Sequence, residues 1–158
     1  MREWPRDAVL LGSEINSQKT VAKLHEMSPD LIISVLFDYI LKPEVISVPS
    51  KGCLNLHPSY LPFNRGQNPN VWSIVEGTPA GVTLHYIDEG VDTGDIISQA
   101  EVPIQPTDTG GSLYRRLEIA CVDLFKGAWS SIKAGTNPRL PNIPENGTYH
   151  RSSDVERI

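Results

Sequence analysis

Short continuous apolar runs alternate along this chain with longer segments in which apolar residues recur every three or four positions, the pattern of strands and helices laid in turn. Residues 8–11 read as a short buried strand. Asn16 or Ser17 can cap a helix that reaches Met27, with Val21 and Leu24 on its packed side. Residues 31–36, Leu-Ile-Ile-Ser-Val-Leu, form a run typical of a strand covered on both faces. Pro43 suits the first position of a short helix through 46, and Gly52 opens a strand in which Leu54, Asn55, Leu56 and His57 alternate apolar and polar. Pro69 and Asn70 start a helix closed by Gly77, and 81–87 and 95–104 read as further strands. The longest helix is predicted over 112–134, where Leu113, Leu117, Ala120, Cys121, Leu124, Ala128, Trp129 and Ile132 make one inward stripe that Gly135 ends. Residues 137–147 read as a loop and 147–150 as an edge strand.

This alternation predicts an α/β sandwich around a largely parallel sheet. One domain is expected over 1–150, with 151–158 as a tail, and there is no internal repeat or low-complexity tract.

The residues able to do chemistry cluster between Leu54 and Ile97. Side chains two apart in a strand leave the same face, so Asn55 and His57 point together while Leu54 and Leu56 pack. Pro58 stops that strand and restricts His57 to an extended backbone, which fixes the imidazole at a rigid strand end. Asp92 arrives from a second strand-turn unit, where Gly90 and Gly94 allow tight backbone reversals.

Four blocks carry a resemblance. They are Asn55, His57, Pro58 and Ser59; Leu61, Pro62, Arg65 and Gly66; Gly81, Val82, Thr83 and His85; and Asp92, Thr93, Gly94 and Asp95. In this order and spacing they resemble the signature of the 10-formyltetrahydrofolate-dependent formyltransferases, the group that includes the phosphoribosylglycinamide, methionyl-tRNA and amino-sugar enzymes. The resemblance extends more loosely over residues 8–150. It implies a Rossmann-like three-layer fold with a mostly parallel sheet and catalytic positions at Asn55, His57 and Asp92. It also implies a folate pocket built by Tyr39, Ile40, Leu41, Val91 and Asp92, with 10-formyltetrahydrofolate as co-substrate and no metal.

Formyl transfer to an amine needs a donor for the oxyanion of a tetrahedral intermediate, a proton source, and a base for the attacking amine. Asn55 offers an amide, His57 an imidazole and Asp92 a carboxylate. No Ser or Cys nucleophile is required, because the amine can attack the formamide carbon directly. His57 and His85 lack helical ligand spacing, and a neutral Asn is a poor third metal ligand. An Asn-His pair before Pro can also merely cap a strand, but the Asp92 loop argues against that here. His85 shares a strand face with Thr83, and a floor for the site and a hydrogen-bonded structural role fit it equally. Ser59, Thr93 and Asp95 fit turn-stabilising roles at least as well as catalytic ones. Arg65, beside Gly66, can neutralise an anionic substrate or pin its loop, and His25 and His150 read as surface residues.

The resemblance lacks the family's opening strand-helix-strand-helix block, since residues 8–11 match its third strand. The expectation is therefore an N-terminally truncated catalytic core, whose 31–36 strand exposes an apolar edge able to drive homo-oligomer formation. An amino sugar or similar small amine is the leading acceptor. The alternatives are a methionyl-tRNA or glycinamide ribonucleotide formyltransferase, a formyltetrahydrofolate hydrolase, or a non-catalytic folate-binding or regulatory fragment that needs a partner chain.

Composition adds little. The chain has 158 residues and a formal net charge of −5, which disfavours nucleic acid and anionic membranes as partners. No apolar run is long enough for a membrane span, and Met1-Arg2-Glu3-Trp4-Pro5 lacks a signal-peptide core, so a cytoplasmic location is expected. Cys53 and Cys121 read as buried reduced thiols.

Overall fold

The structure, a computed structural model, describes residues 12–157; the strand expected over 8–11 lies outside them. Ser17 caps α1 (Gln18–Met27), accepting from the Thr20 amide through its side chain. A short strand, β1 (Ile32–Val35), is followed by α2 (Pro43–Ile46), which begins on Pro43. Then come β2 (Cys53–His57), the two-residue β3 (Arg65–Gly66) and α3 (Pro69–Glu76), closed by Gly77 in the left-handed region. The chain continues through β4 (Gly81–Tyr86), β5 (Ile96–Glu101), α4 (Gly110–Ala134) and β6 (Tyr149–His150). None of the described helices is long and apolar enough to cross a membrane.

The main sheet has the order β1-β2-β4-β5. It is mixed rather than mostly parallel: β1 and β2 are parallel, while β2–β4 and β4–β5 are antiparallel. For β4–β5 the reason lies in the connection, because a parallel return needs a crossover and that link contains no helix; β2–β4 is antiparallel although α3 lies between the two strands. β3 and β6 pair in parallel as a separate small sheet, so the strand expected at 147–150 exists but docks on Arg65 and Gly66 instead of the main sheet.

The layers follow from side-chain alternation. Leu54 and Leu56 of β2, Val82 and Leu84 of β4 and Ile97 of β5 face Leu113, Leu117, Cys121 and Ile132 of α4 and make the principal core. On the opposite face Cys53 joins Leu41 and Val45, with Val21 and Leu24 of α1 packed against them. The α4 stripe departs from expectation at Trp129, which is 39% exposed and leans on Phe125. The 31–36 run departs as well: only four of its residues form β1, and they are half-buried except Val35, which is exposed. Both thiols are buried, and burial pushes each up to about 11, which keeps them protonated.

Candidate active site

The polar face of the sheet assembles the site. Asn55 of β2 stands opposite His85 of β4, and His57 stands opposite Thr83, so two period-two strands in antiparallel register place four polar side chains in one patch. His57, Thr83 and His85 are buried. Asp92 reaches this patch from the loop after β4. Asn55 Nδ2 donates to Asp92 Oδ1 at 3.4 Å, the backbone N–H of Gly66 donates to Oδ2 at 2.9 Å, and His57 Nε2 and His85 Nε2 each lie 3.5 Å from one carboxylate oxygen. Asn55 Nδ2 also lies 3.3 Å from His85 Nε2. His85 Nδ1 is 2.7 Å from the Tyr86 carbonyl, which can only accept, so that nitrogen carries a proton and Nε2 faces the site.

The loop that presents Asp92 is built for the purpose. Asp88 Oδ1 accepts from Gly90 N at 3.0 Å and from Thr93 Oγ1 at 2.5 Å, closing the turn. A Cβ on Gly94 would stand 2.0 Å from the Tyr86 carbonyl oxygen, so close approach rather than a left-handed backbone demands glycine there. The left-handed residue is Asp92 itself, at φ 53°. Gly66, at φ 88°, has no room for a side chain either: a Cβ would meet the His150 carbonyl at 2.3 Å.

Burial works against charge on both principal groups, with opposite results. Burial would raise the Asp92 carboxyl, but the adjacent His57, His85 and Gly66 N–H outweigh it and hold the group well below the usual carboxylate range. Burial lowers His57 below its ordinary 6.5, although Asp92 pulls the other way. The resting pair near neutral pH is therefore a carboxylate beside a neutral imidazole. His57 Nε2 also faces the Asn64 carbonyl at 3.5 Å.

Two cavities meet at Asn55 and His57. One, of about 130 Å³, is lined by Tyr39, Ile40, Leu41, Val91 and Asp92. The other, of about 420 Å³, is lined by Leu36, Pro58, Asn68, Asn70, Gly111 and Tyr114, and among the described residues no Lys or Arg lines it. Phe37, Asp38, Gly66 and Gln67 border both.

The remaining residues singled out in the sequence sort themselves by their bonds. Thr83 donates to the Ser59 carbonyl at 2.8 Å and accepts from Leu61 N and Gln99, which ties down the 59–61 loop. Ser59 is fully buried and lines neither cavity. The Arg65 guanidinium lies 5.7 Å from the Tyr149 ring centroid and also lines neither cavity. Asp95 pairs with Arg139 at 3.1 Å.

His25 is exposed as expected, but His150 is buried, a correction. Its ring stacks on Trp72 at 4.0 Å and pairs with Glu76 at 3.3 Å, contacts that depend on the β3–β6 pairing and carry no local sequence signal. Sequence reasoning also missed Asn64, whose buried amide bonds Ser73 and Thr78, and Asn142, which donates to the backbone of the Asp92 loop. The residue type was the hint available at Asn64, since Asn tolerates the left-handed backbone found there.

Residues 10–125 match the Formyl transferase family. The methionyl-tRNA formyltransferase of Syntrophus aciditrophicus (strain SB) is 42% identical over 127 residues, which cover 80% of this chain and 41% of that one. Among solved structures, the formyltransferase PseJ from Anoxybacillus kamchatkensis, in complex with UDP-4,6-dideoxy-4-formamido-L-AltNAc and tetrahydrofolate, superposes with a TM-score of 0.76 at 43% identity, covering 81% of this chain and 67% of that one. A sugar N-formyltransferase from Shewanella sp FDAARGOS_354 superposes with a TM-score of 0.83 at 32% identity, covering 90% and 56%. The chain thus spans less than half the length of the curated relatives it matches.

Proposed function

This chain belongs to the formyl transferase family, and from that premise we propose that it transfers a formyl group from 10-formyltetrahydrofolate to an amine of a small acceptor by direct attack. The observation that carries the reading is the convergence of Asn55, His57 and Asp92 where two cavities meet. One cavity takes the folate, against Tyr39, Ile40, Leu41 and Val91, and the other takes the acceptor. The formyl carbon then lies between donor and amine in a single ternary complex, and no covalent enzyme intermediate is needed.

In the reaction the acceptor nitrogen adds to the formyl carbon, the folate C–N bond breaks, and the amine's proton ends on the leaving folate nitrogen. The Asn55 amide and the His57 ring stabilise the oxygen as it gains charge. Asp92, ionised at rest, orients His57 and stabilises the imidazolium formed when the ring takes the amine's proton before passing it to the leaving folate nitrogen.

An amino sugar is the favoured acceptor. Among the described residues the acceptor cavity carries amide and hydroxyl groups from Asn68, Asn70 and Tyr114, the Asp38 carboxylate and no cationic side chain, which suits a polyhydroxylated amine rather than an anionic acceptor. The sugar N-formyltransferase likeness of the Shewanella structure supports the same reading. A methionyl-tRNA acceptor is the second reading, and it rests on the 42% identity to the Syntrophus enzyme. Titration calorimetry with a tetrahydrofolate analogue, coupled to mass-spectrometric detection of formylated amines, tests all of these. Binding with product on an amino sugar is expected. Binding with release of formate alone identifies a hydrolase, and binding with no product identifies a folate-binding module. Absence of folate binding in a folded sample removes the reading.

A further inference from the structure

We propose that Asn142 is a positioning residue: reaching in from the C-terminal strap, its amide fixes the left-handed backbone at Asp92 and so sets the spacing between that carboxylate and His57. The proposal rests on the formyl-transfer reading for its kinetic consequence, but not for its structural one.

Asn142 Nδ2 donates to the Asp92 carbonyl at 3.0 Å and to the Gly94 carbonyl at 3.3 Å, so both amide protons are committed to the loop that carries the carboxylate. Its Oδ1 is buried without a partner. Flipping the amide would set that oxygen against two carbonyls, so the orientation is fixed even though the acceptor goes unused. Such an orphan is tolerated where the donors are needed. They matter here because Asp92 is a non-glycine residue at φ 53°, a left-handed state that Asp reaches at some cost and that bonds to its own carbonyl help to hold.

The strap does not depend on Asn142 for its own anchorage. Leu140 and Ile96 exchange backbone hydrogen bonds at 2.8 and 2.9 Å, Asn137 donates to the Tyr86 hydroxyl at 2.9 Å, and Thr148 bonds Asn64. Its far end, β6, pairs with β3 and thereby holds the Gly66 N–H that donates to Asp92 Oδ2. One segment thus grips the carboxylate from both sides, through the loop backbone on one and through Gly66 on the other.

The ionisable groups facing Asp92 are His57 from β2 and His85 from β4, while Asp88 of its own loop and Asp38 after β1 line the same cavity. Losing the nearby anion removes what raises His57, so the ring then titrates at lower pH.

The test compares Asn142→Leu, of similar volume and no donor, with Asn142→Gln, which keeps the amide. In Asn142→Leu the His57 ring, followed by ¹⁵N NMR, is expected to titrate below the wild-type value, and the Gly66 amide to exchange with solvent at least about tenfold faster. The kcat should fall roughly ten- to hundredfold with a much smaller change in KM for the folate, and Asn142→Gln should recover part of each effect. Unchanged His57 titration and Gly66 exchange, with only a lower melting temperature, would overturn the proposal. Should Asn142→Leu fail to fold, Asn142→Ala, which also removes both donors, decides: faster Gly66 exchange with a lower His57 titration supports positioning, and wild-type values of both refute it. If the wild-type protein transfers no formyl group, the functional reading falls, yet the titration and exchange results still judge the strap.

Discussion

At the residue scale the site is a carboxylate whose ionised form is stabilised from several sides, next to an imidazole kept neutral by burial. That pairing fixes the direction of its pH response. The folded-state value of Asp92 lies below its ordinary 3.8, so its contribution to stability is present above that pH and is lost as pH falls further. For His57 the folded value lies below 6.5, so the unfolded chain binds the proton first, and stability falls as pH drops under 6.5. Both act in the same direction. Melting temperature should therefore decline on acidification, and in Asp92→Asn the part of the decline below the carboxylate value should vanish. Activity should hold down to a pH below 6.5 and fail under it as His57 protonates. Replacing Asn55 or His57 by Ala, or Asp92 by Asn, should lower kcat by roughly a hundredfold or more without unfolding the protein. Near-normal rates for Asp92→Asn across pH would show that the carboxylate neither orients nor accepts.

At the element scale, most of what positions these groups rests on two strands and one helix. Leu117 is fully buried in the core beneath β2 and β4, and Leu117→Ala should cost about 2–5 kcal/mol by denaturant titration. Ile119, two positions on and 65% exposed, should cost within about 0.5 kcal/mol when truncated. Gly66→Ala is sharper, since its Cβ would collide with the His150 carbonyl and force β3 off β6. It should cut activity more than it lowers stability, because the Gly66 N–H bonds Asp92.

These elements also show what the sequence could and could not reveal. The caps at Ser17 and Gly77, the Pro-started helices and the 3.6-residue stripe of α4 are local signals, and each stands where the pattern put it, except that α4 opens at Gly110 rather than 112 and Trp129 leaves the stripe. The alternation around Asn55 and His57 was equally local. What stayed hidden was pairing at a distance: the antiparallel β2–β4 register that sets His85 against Asn55, the β3–β6 ladder that buries His150, and the Asn142 bonds across the Asp92 loop. No periodicity encodes such contacts, because a segment's own pattern gives its faces but not which distant segment it meets or in which register. Trp129 failed for a related reason, in that a helical stripe predicts a face but not where the covering sheet ends.

At the scale of the whole molecule the described sheet is well covered over β2 and β4, and its β1 edge has no second partner among the described residues. Among the described residues β1 pairs with β2 alone, and Val35, Phe37, Tyr39 and Ile40, in and just after it, are exposed apolar side chains. A strand with one edge unpaired among the described residues, and with apolar neighbours, is a template for another strand, and it borders the cavity proposed for the folate through Tyr39 and Ile40. Self-association through this edge should therefore compete with folate binding. Sedimentation velocity on the 158-residue chain is expected to show concentration-dependent oligomers. Val35→Lys, which places a charge on the edge where Val35 is 52% exposed, should return the chain toward monomer. A saturating folate analogue should do the same, since mass action favours whichever partner binds the shared surface more tightly. A chain that sediments as a monomer at every concentration, with β1 amides strongly protected from exchange, would show that this edge is already covered and that the apolar side chains beside it serve the folate cavity alone.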